Sequence, residues 1–297
     1  MSKKNKNKKK NKNKKAQRSK VLPEVSQQVP QQALKPFAEM TTEEKIETIN
    51  RGHSFFDKQA TLDDFSIMIA TPHSYDFVYK EWFAMYERLM KPKSARLYMD
   101  PSLPLSVNRN NCVEEAQKSG VDFLMFIDHD NILPPDTILK FIEHNAPIVG
   151  GLYFERKYPH LPVCYVFEKD RQTVRVVYDY KKGLVPVHVT GLGCTLFDMR
   201  VFDVIDAPWF CYEHDGHSWG TEDIGFFHKV MDVGINTFMD TAHTVGHYTQ
   251  TVIDEGDWLE YKPGYLEEVN KKAQEFGGNS VYVDKRKNQI LPSPSGQ

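Results

Sequence analysis

The chain has 297 residues, 40% hydrophobic and 12% aromatic, enough to bury one large core or two small ones. Its formal net charge of −2 conceals an asymmetry: residues 1–20 carry eleven Lys or Arg and no acid, so the remaining 27 bases face 40 acids. No apolar run approaches the ~18 residues of a membrane helix and no apolar segment follows the basic start, which argues against membrane spanning and secretion. Cys112, Cys164, Cys194 and Cys211 are widely spaced without a CxxC, so they read as reduced thiols of a cytoplasmic protein rather than a disulfide framework.

Residues 1–20 form a Lys/Asn tract with too little apolar content to join a core, and 21–40 a Gln/Pro-rich linker, so 1–40 is set apart from a single domain over 41–297. A basic arm of this kind neutralises phosphates and points to nucleic acid, or serves as a solubilising tail. Thr41 with Glu44 three residues on is a capping box for a short helix. The patterns then predict a strand at 65–70, a helix at about 76–90 with an apolar stripe of Phe77, Trp82, Phe83, Tyr86 and Met90, a strand at 96–99, and a helix at 107–119 stopped by Gly120. A strand at 123–127, a helix at about 135–144 and a strand at 148–153 complete an alternating series. That series is an α/β pattern, a Rossmann-type, mostly parallel sheet flanked by helices.

The second half is mixed. Strands at 163–167 and 173–178 pair as a hairpin around the charged turn 168–171, and strands at 185–189 and 194–197 flank Gly191-Leu192-Gly193. A helix from about Arg200 to Ile205 follows, then a loop from Phe210 to Trp219 holding Glu213, His214, Asp215 and His217. Thr221 N-caps a helix to Val233, with Glu222 and Asp223 in its first turn. A last strand covers 236–239, a helix spans 259–276, and the chain end from 290 reads as frayed.

Chemistry concentrates after the apolar run Phe123–Ile127. Asp128 and Asp130 sit one residue apart at the carboxyl edge of a buried strand, where open α/β sheets bind ligands. Two such carboxylates repel unless a cation lies between them, and Mg²⁺ or Mn²⁺ carrying phosphate oxygens would neutralise both. An Asp-rich turn leading into the helix at Pro134-Pro135-Asp136 is the structural alternative. No GxxxxGK[ST] or GxGxxG occurs, which disfavours a P-loop NTPase and a standard dinucleotide enzyme.

The order of these features, a strand-helix series, Asp-x-Asp after the third buried strand, Gly-Leu-Gly, Thr-Glu-Asp at a helix start and a late Gly-His, resembles the GT-A glycosyltransferases over roughly 65–248. The likeness is to the family 2-like enzymes of bacteria and bacteriophages. The resemblance implies a GT-A-like domain with a nucleotide-binding half, 61–153, and an acceptor half, 154–280. It implies a nucleotide-sugar donor, foremost a UDP-sugar, with Thr71, Pro72, Arg109 and Asp128 on the nucleotide. A divalent cation would lie on Asp128, Asp130 and His247, the imidazole favouring Mn²⁺ over Mg²⁺, with His243 the competing ligand.

In the same reading Asp223 is the general base toward a hydroxyl acceptor if the reaction inverts, or orients the acceptor if it retains, with Glu222 beside it. Gly191 to Gly193 let the backbone approach donor or acceptor, and Trp209 and Trp219 could stack on a sugar or base. The basic arm suggests hydroxymethylated bases of phage DNA as acceptor. Competing readings are a nucleotidyltransferase, or a non-catalytic nucleic-acid-binding or virion-associated protein on the same scaffold.

Overall fold

The structure, a computed structural model, describes residues 35–54, 61–73, 77–170, 173–212, 220–249, 252–277, 281–284 and 289–292. Two compact units result, Met1–Glu39 and Met40–Gln297. Of the first, the described part ends in one 3-10 turn, Phe37–Glu39; the basic arm lies outside the described residues.

The second unit begins with α1 (Thr42–Arg51), closed by the expected Thr41/Glu44 capping box. There follow β1 (Ile67–Pro72), α2 (Lys80–Arg88), β2 (Arg96–Asp100), α3 (Leu105–Ser119), β3 (Phe123–Ile127), β4 (Asn131–Ile132), α4 (Thr137–Glu143) and β5 (Ile148–Leu152). Then come β6 (Cys164–Phe167), β7 (Val174–Val176), β8 (Leu184–Val187), β9 (Val189–Thr190) and β10 (Cys194–Asp198). The chain closes with α5 (Glu222–Val233), β11 (Thr237–Thr244), β12 (Gly246–Tyr248), β13 (Val252–Ile253), α6 (Glu255–Glu275), β14 (Val281–Asp284) and β15 (Gln289–Pro292).

Seven strands form the main sheet in the order β2-β1-β3-β10-β5-β11-β8. β2, β1, β3, β5 and β11 run one way and β10 and β8 the other. This is the expected mixed, mostly parallel α/β sheet. Its strands β1, β3, β10 and β5 are buried along their whole length because both faces are covered. On β3, Phe123, Met125 and Ile127 face a core shared with Trp82, Met85 and Leu89 of the α2 segment and Ile138, Phe141 and Ile142 of α4. Phe126 points the other way, against Phe197, Phe210 and through them Phe226 of α5. The chain leaves β1 for β2 on one side and returns to β3 on the other. The carboxyl ends of β1 and β3 therefore border the point where strand order reverses, the crevice in which such sheets bind ligands.

Several elements depart from the sequence reading for identifiable reasons. The first strand starts at Ile67 because the Asp122 carboxylate accepts from Ser66 N and Oγ at 2.8 and 2.7 Å, ahead of the ladder; it runs on to Pro72, opposite Asp100. On α2 the buried side chains are Trp82 and Met85, followed by Leu89, whereas Phe77, Phe83 and Met90 are 63, 56 and 47% exposed. At 100° per residue, Phe83 cannot share the face of Trp82. The predicted strand 185–189 splits at His188, whose N–H reaches Tyr165 O, so β8 edges the main sheet while β9 joins β6 in a smaller one. α6 begins four residues earlier than expected, at an Asp254/Asp257 capping box, which brings fully buried Trp258 into the helix. Part of the tail read as frayed pairs as β15 with β14.

Asp198, at the end of β10, is a buried anchor. His53 Nε2 lies 2.9 Å from its Oδ2, and Arg200 contacts both oxygens. Burial works to raise its pKa, but the His53 and Arg200 contacts outweigh it and hold the carboxyl below the usual range. A carboxyl depressed in the folded state stabilises above the unfolded pKa of about 3.9 and loses that contribution as pH falls through the folded value. Asp198→Asn should therefore cost about 3 kcal/mol at pH 7. The gap to wild type should narrow below about pH 3.5, as measured by urea midpoints at the two pH values.

Candidate active site

The run that ends β3 turns tightly. Asp128 N–H donates to Gly193 O at 2.9 Å, Asn131 N–H returns to Asp128 O at 3.0 Å, and Trp82 Nε1–H donates to that same carbonyl at 3.1 Å. The turn feeds β4, which pairs antiparallel with β12, Asn131 opposite His247. Tyr248 N–H also donates to Asp130 O at 2.6 Å. This pairing is what carries a residue from late in the chain to the Asp-x-Asp.

Asp130 is 6% exposed, with His247 Nε2 at 3.5 Å and Arg156 Nη1 at 3.0 Å from its Oδ2. Burial works to raise its pKa, but His247, His129 and Arg156 together hold the carboxyl below its ordinary value. His247 Nδ1 lies 2.7 Å from Phe154 O. A carbonyl only accepts, so Nδ1 carries a proton and donates it to Phe154 O, which turns Nε2 toward Asp130. His243 turns elsewhere, toward Asp136 and Asp240.

The structure tests a divalent cation against these side chains. Among the described residues no group of three or more His, Cys, Asp and Glu converges to hold a metal unaided. Asp130 and His247 converge as a pair, one hard oxygen and one imidazole nitrogen. Two protein ligands suit a cation that arrives with diphosphate oxygens and water completing its shell. Asp128 is engaged differently, by Arg109.

Arg109 projects from α3 and is 2% exposed. Its Nη2 donates to Asp128 Oδ1 and Oδ2 at 3.1 and 3.4 Å, its Nε to Glu222 Oε1 at 3.2 Å, and its Cζ sits 5.0 Å from the Phe126 ring centroid. Burial opposes the charge, yet Asp128 and Glu222 together hold the Arg109 pKa above its ordinary value. Glu222 is buried too; desolvation raises its pKa despite Arg109, with neighbouring Asp223 adding to the rise. Arg109 Nη1 and both polar atoms of the Asn131 side chain are buried and lack a hydrogen-bond partner.

Gly193 sits where side chains crowd. A Cβ there would meet Asn131 Oδ1, Asp128 Oδ2 at 3.0 Å and Tyr153 Oη at 3.1 Å, while Gly193 N–H donates to Tyr153 Oη at 3.2 Å. Gly191 is pressed likewise by Tyr153 and Val163. The two glycines let this backbone lie against the Asp-x-Asp turn.

At the end of β1, Thr71 and Pro72 are buried rather than open. Half-exposed rings lie beside them: His129 is 5.5 Å from the buried His73 ring and stacks at 5.9 Å on Tyr79, which is 4.6 Å from Tyr248. Asp223 is half-buried at the start of α5. Its Oδ1 accepts from Thr221 Oγ1 and, at 2.8 Å, from Ile224 N, so the Thr221 hydroxyl serves Asp223 rather than capping the helix backbone. Trp209, expected near a ligand, is buried, with its ring against Phe202 and its N–H on Ile205 O. Glu213, His214, Asp215, His217 and Trp219 lie outside the described residues.

Sequence reasoning missed Asn131, Tyr153 and Arg156. Tyr153 and Arg156 follow β5, another carboxyl edge of the main sheet, which was the available signal.

No protein-family model matches the chain, and no curated protein matches it in sequence. Among solved structures it is similar to A197 from STIV (13% identity, 78% of this chain and 95% of that one, TM-score 0.43). It is also similar to CMP:2-keto-3-deoxy-manno-octonic acid synthetase complexed with CTP (13%, 71% and 99%, TM-score 0.37). A third is a glycosyltransferase involved in glycosylation of the major capsid of PBCV-1 (14%, 48% and 69%, TM-score 0.28). These are distant likenesses, and the reading of function rests on the side chains.

Gly193→Ala should destabilise by about 1–3 kcal/mol through overpacking against Asn131. Adding Asn131→Ala should recover most of that loss, as a double-mutant cycle by chemical denaturation would show.

Proposed function

We propose that the chain is a metal-dependent glycosyltransferase moving a hexose from a nucleoside diphosphate sugar, UDP-linked in the first instance, to a hydroxyl acceptor. The observation that carries this reading is the division of the Asp-x-Asp at the strand-order reversal: Asp128 is held by buried Arg109, while Asp130 faces Nε2 of His247. Asp130 and His247 would hold the cation, and the half-exposed rings of Tyr79, His129 and Tyr248 offer a surface for the base.

When bound, the cation would neutralise diphosphate charge and ease its departure. Asp223 takes the proton of the acceptor hydroxyl as the acceptor oxygen bonds to the anomeric carbon; the carbon–oxygen bond to the diphosphate breaks with its electron pair on the phosphate. That role goes with inversion at the anomeric carbon. Its hydrogen bonds fall on Oδ1, leaving Oδ2 to accept the proton. Glu222 acts through Arg109 as a positioning residue.

Purified protein with Mn²⁺ and a panel of nucleotide sugars should release nucleoside diphosphate from one donor, and chelator should abolish the release. Asp130→Ala should lower turnover at least ~10²-fold, with circular dichroism confirming that the variant is folded. Full turnover in chelator would remove the metal from the mechanism. Pyrophosphate released from a nucleoside triphosphate would assign nucleotidyl transfer instead.

For the acceptor we infer DNA carrying hydroxymethylated bases, because the eleven basic residues of 1–20 stand against an otherwise acidic chain. Deleting residues 1–20 should weaken DNA binding and flatten its dependence on salt, since fewer counterions are released. Fluorescence anisotropy at several salt concentrations reads this, and unchanged affinity would remove the arm from the assignment.

A further inference from the structure

One carboxylate oxygen of the site has two basic partners. Asp130 Oδ2 lies 3.0 Å from Arg156 Nη1 and 3.5 Å from His247 Nε2. Both contacts depend on the chain leaving β5. Phe154 O orients the His247 ring, and two residues later Arg156 reaches Asp130. The loop between them and β6 is closed by a bridge between Phe154 and Pro162 and by Glu155 N–H donating to Leu161 O at 2.9 Å.

The partners differ in freedom. The Arg156 side chain is 53% exposed, those of Asp130 and His247 9% and 14%. A cation taking up Asp130 and His247 would meet the guanidinium on the same oxygen, and two positive charges sharing that atom repel strongly at partly buried sites. Asp130 is held by its turn and His247 by Phe154. The long, half-exposed arginine is the group able to move.

Resting on the glycosyltransferase reading above, we propose that Arg156 is a catalytic residue for the leaving group. It occupies the cation's place on Asp130 until donor and metal arrive, and then engages the diphosphate. Its planar fork of N–H donors matches phosphate oxygens, which a lysine ammonium does not. As the anomeric carbon–oxygen bond breaks, the electron pair passes to the departing phosphate oxygen. Arg156 donates hydrogen bonds to that charge and gives up no proton. The same guanidinium thus protects Asp130 from an unmatched buried charge in one state and stabilises the leaving group in the other.

Arg156→Met and Arg156→Lys separate the two roles. Titrations with manganese alone, read by the electron paramagnetic resonance of free Mn²⁺, should show Arg156→Met binding about tenfold tighter than wild type because the competing charge is gone. With Mn²⁺ saturating, the same variant should bind UDP about tenfold more weakly and turn over donor about 10²-fold more slowly. Arg156→Lys should keep the wild-type Mn²⁺ affinity and recover part of kcat. Unchanged Mn²⁺ affinity in Arg156→Met overturns the competition, and unchanged UDP affinity and kcat overturn the leaving-group role. Wild-type protein that binds neither Mn²⁺ nor UDP overturns the reading of the whole site, and this role with it.

Discussion

A buried guanidinium organises the centre of this molecule. Arg109 leaves α3 with almost no exposure and meets a carboxylate from the end of β3 and another from the first turn of α5. Moving such a charge out of water costs several kcal/mol, which is offset only when the partners are near and well aimed. Asp128 and Glu222 supply that match, with the face of Phe126 beneath the guanidinium. The helix, the strand end and the second helix are thereby locked in one relation. Asp128 and the start of α5, where Asp223 lies, take their orientation from that lock.

Around it the chain uses two backbone devices to gather residues distant in sequence. The short β4–β12 pairing sets His247 beside Asp130, and the close approach of Gly191 to Gly193 sets a second loop against Asp128 and Tyr153. Both lie at carboxyl ends of main-sheet strands, at or beside the strand-order reversal. The result is an asymmetric carboxylate pair. Asp128 is held by a fixed internal cation, and Asp130 is met by an imidazole and a half-exposed arginine. Such asymmetry suits the two carboxylates to different tasks.

Much of this was legible locally. The apolar run Phe123–Ile127 predicted its strand to the residue, and Gly120, in the left-handed region at φ 61°, ends α3 as its position implied. The Thr41/Glu44 box and the hairpin of β6 and β7 likewise follow from spacing alone. Several readings moved where another hydrogen bond intervened. Asp122 holds Ser66 out of β1, Tyr165 pulls the chain off one sheet at His188, and Thr221 gives its hydroxyl to Asp223. Trp209 looked like a ligand platform beside a polar loop, but its neighbours Phe202 and Ile205 absorb it into the core.

By itself the sequence determined the alternation of elements, the acidic body with its basic arm, and the Asp-x-Asp at the end of a buried strand. Period, capping and charge act over a few residues and need no partner at a distance. Only the tertiary structure decided which basic groups meet those carboxylates. Arg109, Arg156 and His247 reach them from α3, from the loop after β5 and from β12, and no local pattern encodes which of the chain's many basic residues the sheet will fold inward. The choice between His243 and His247 shows the reason most plainly. Four residues apart, both stood as candidates on paper, and it is the register of β12 on β4 that sets one facing Asp130 and leaves the other against Asp136 and Asp240.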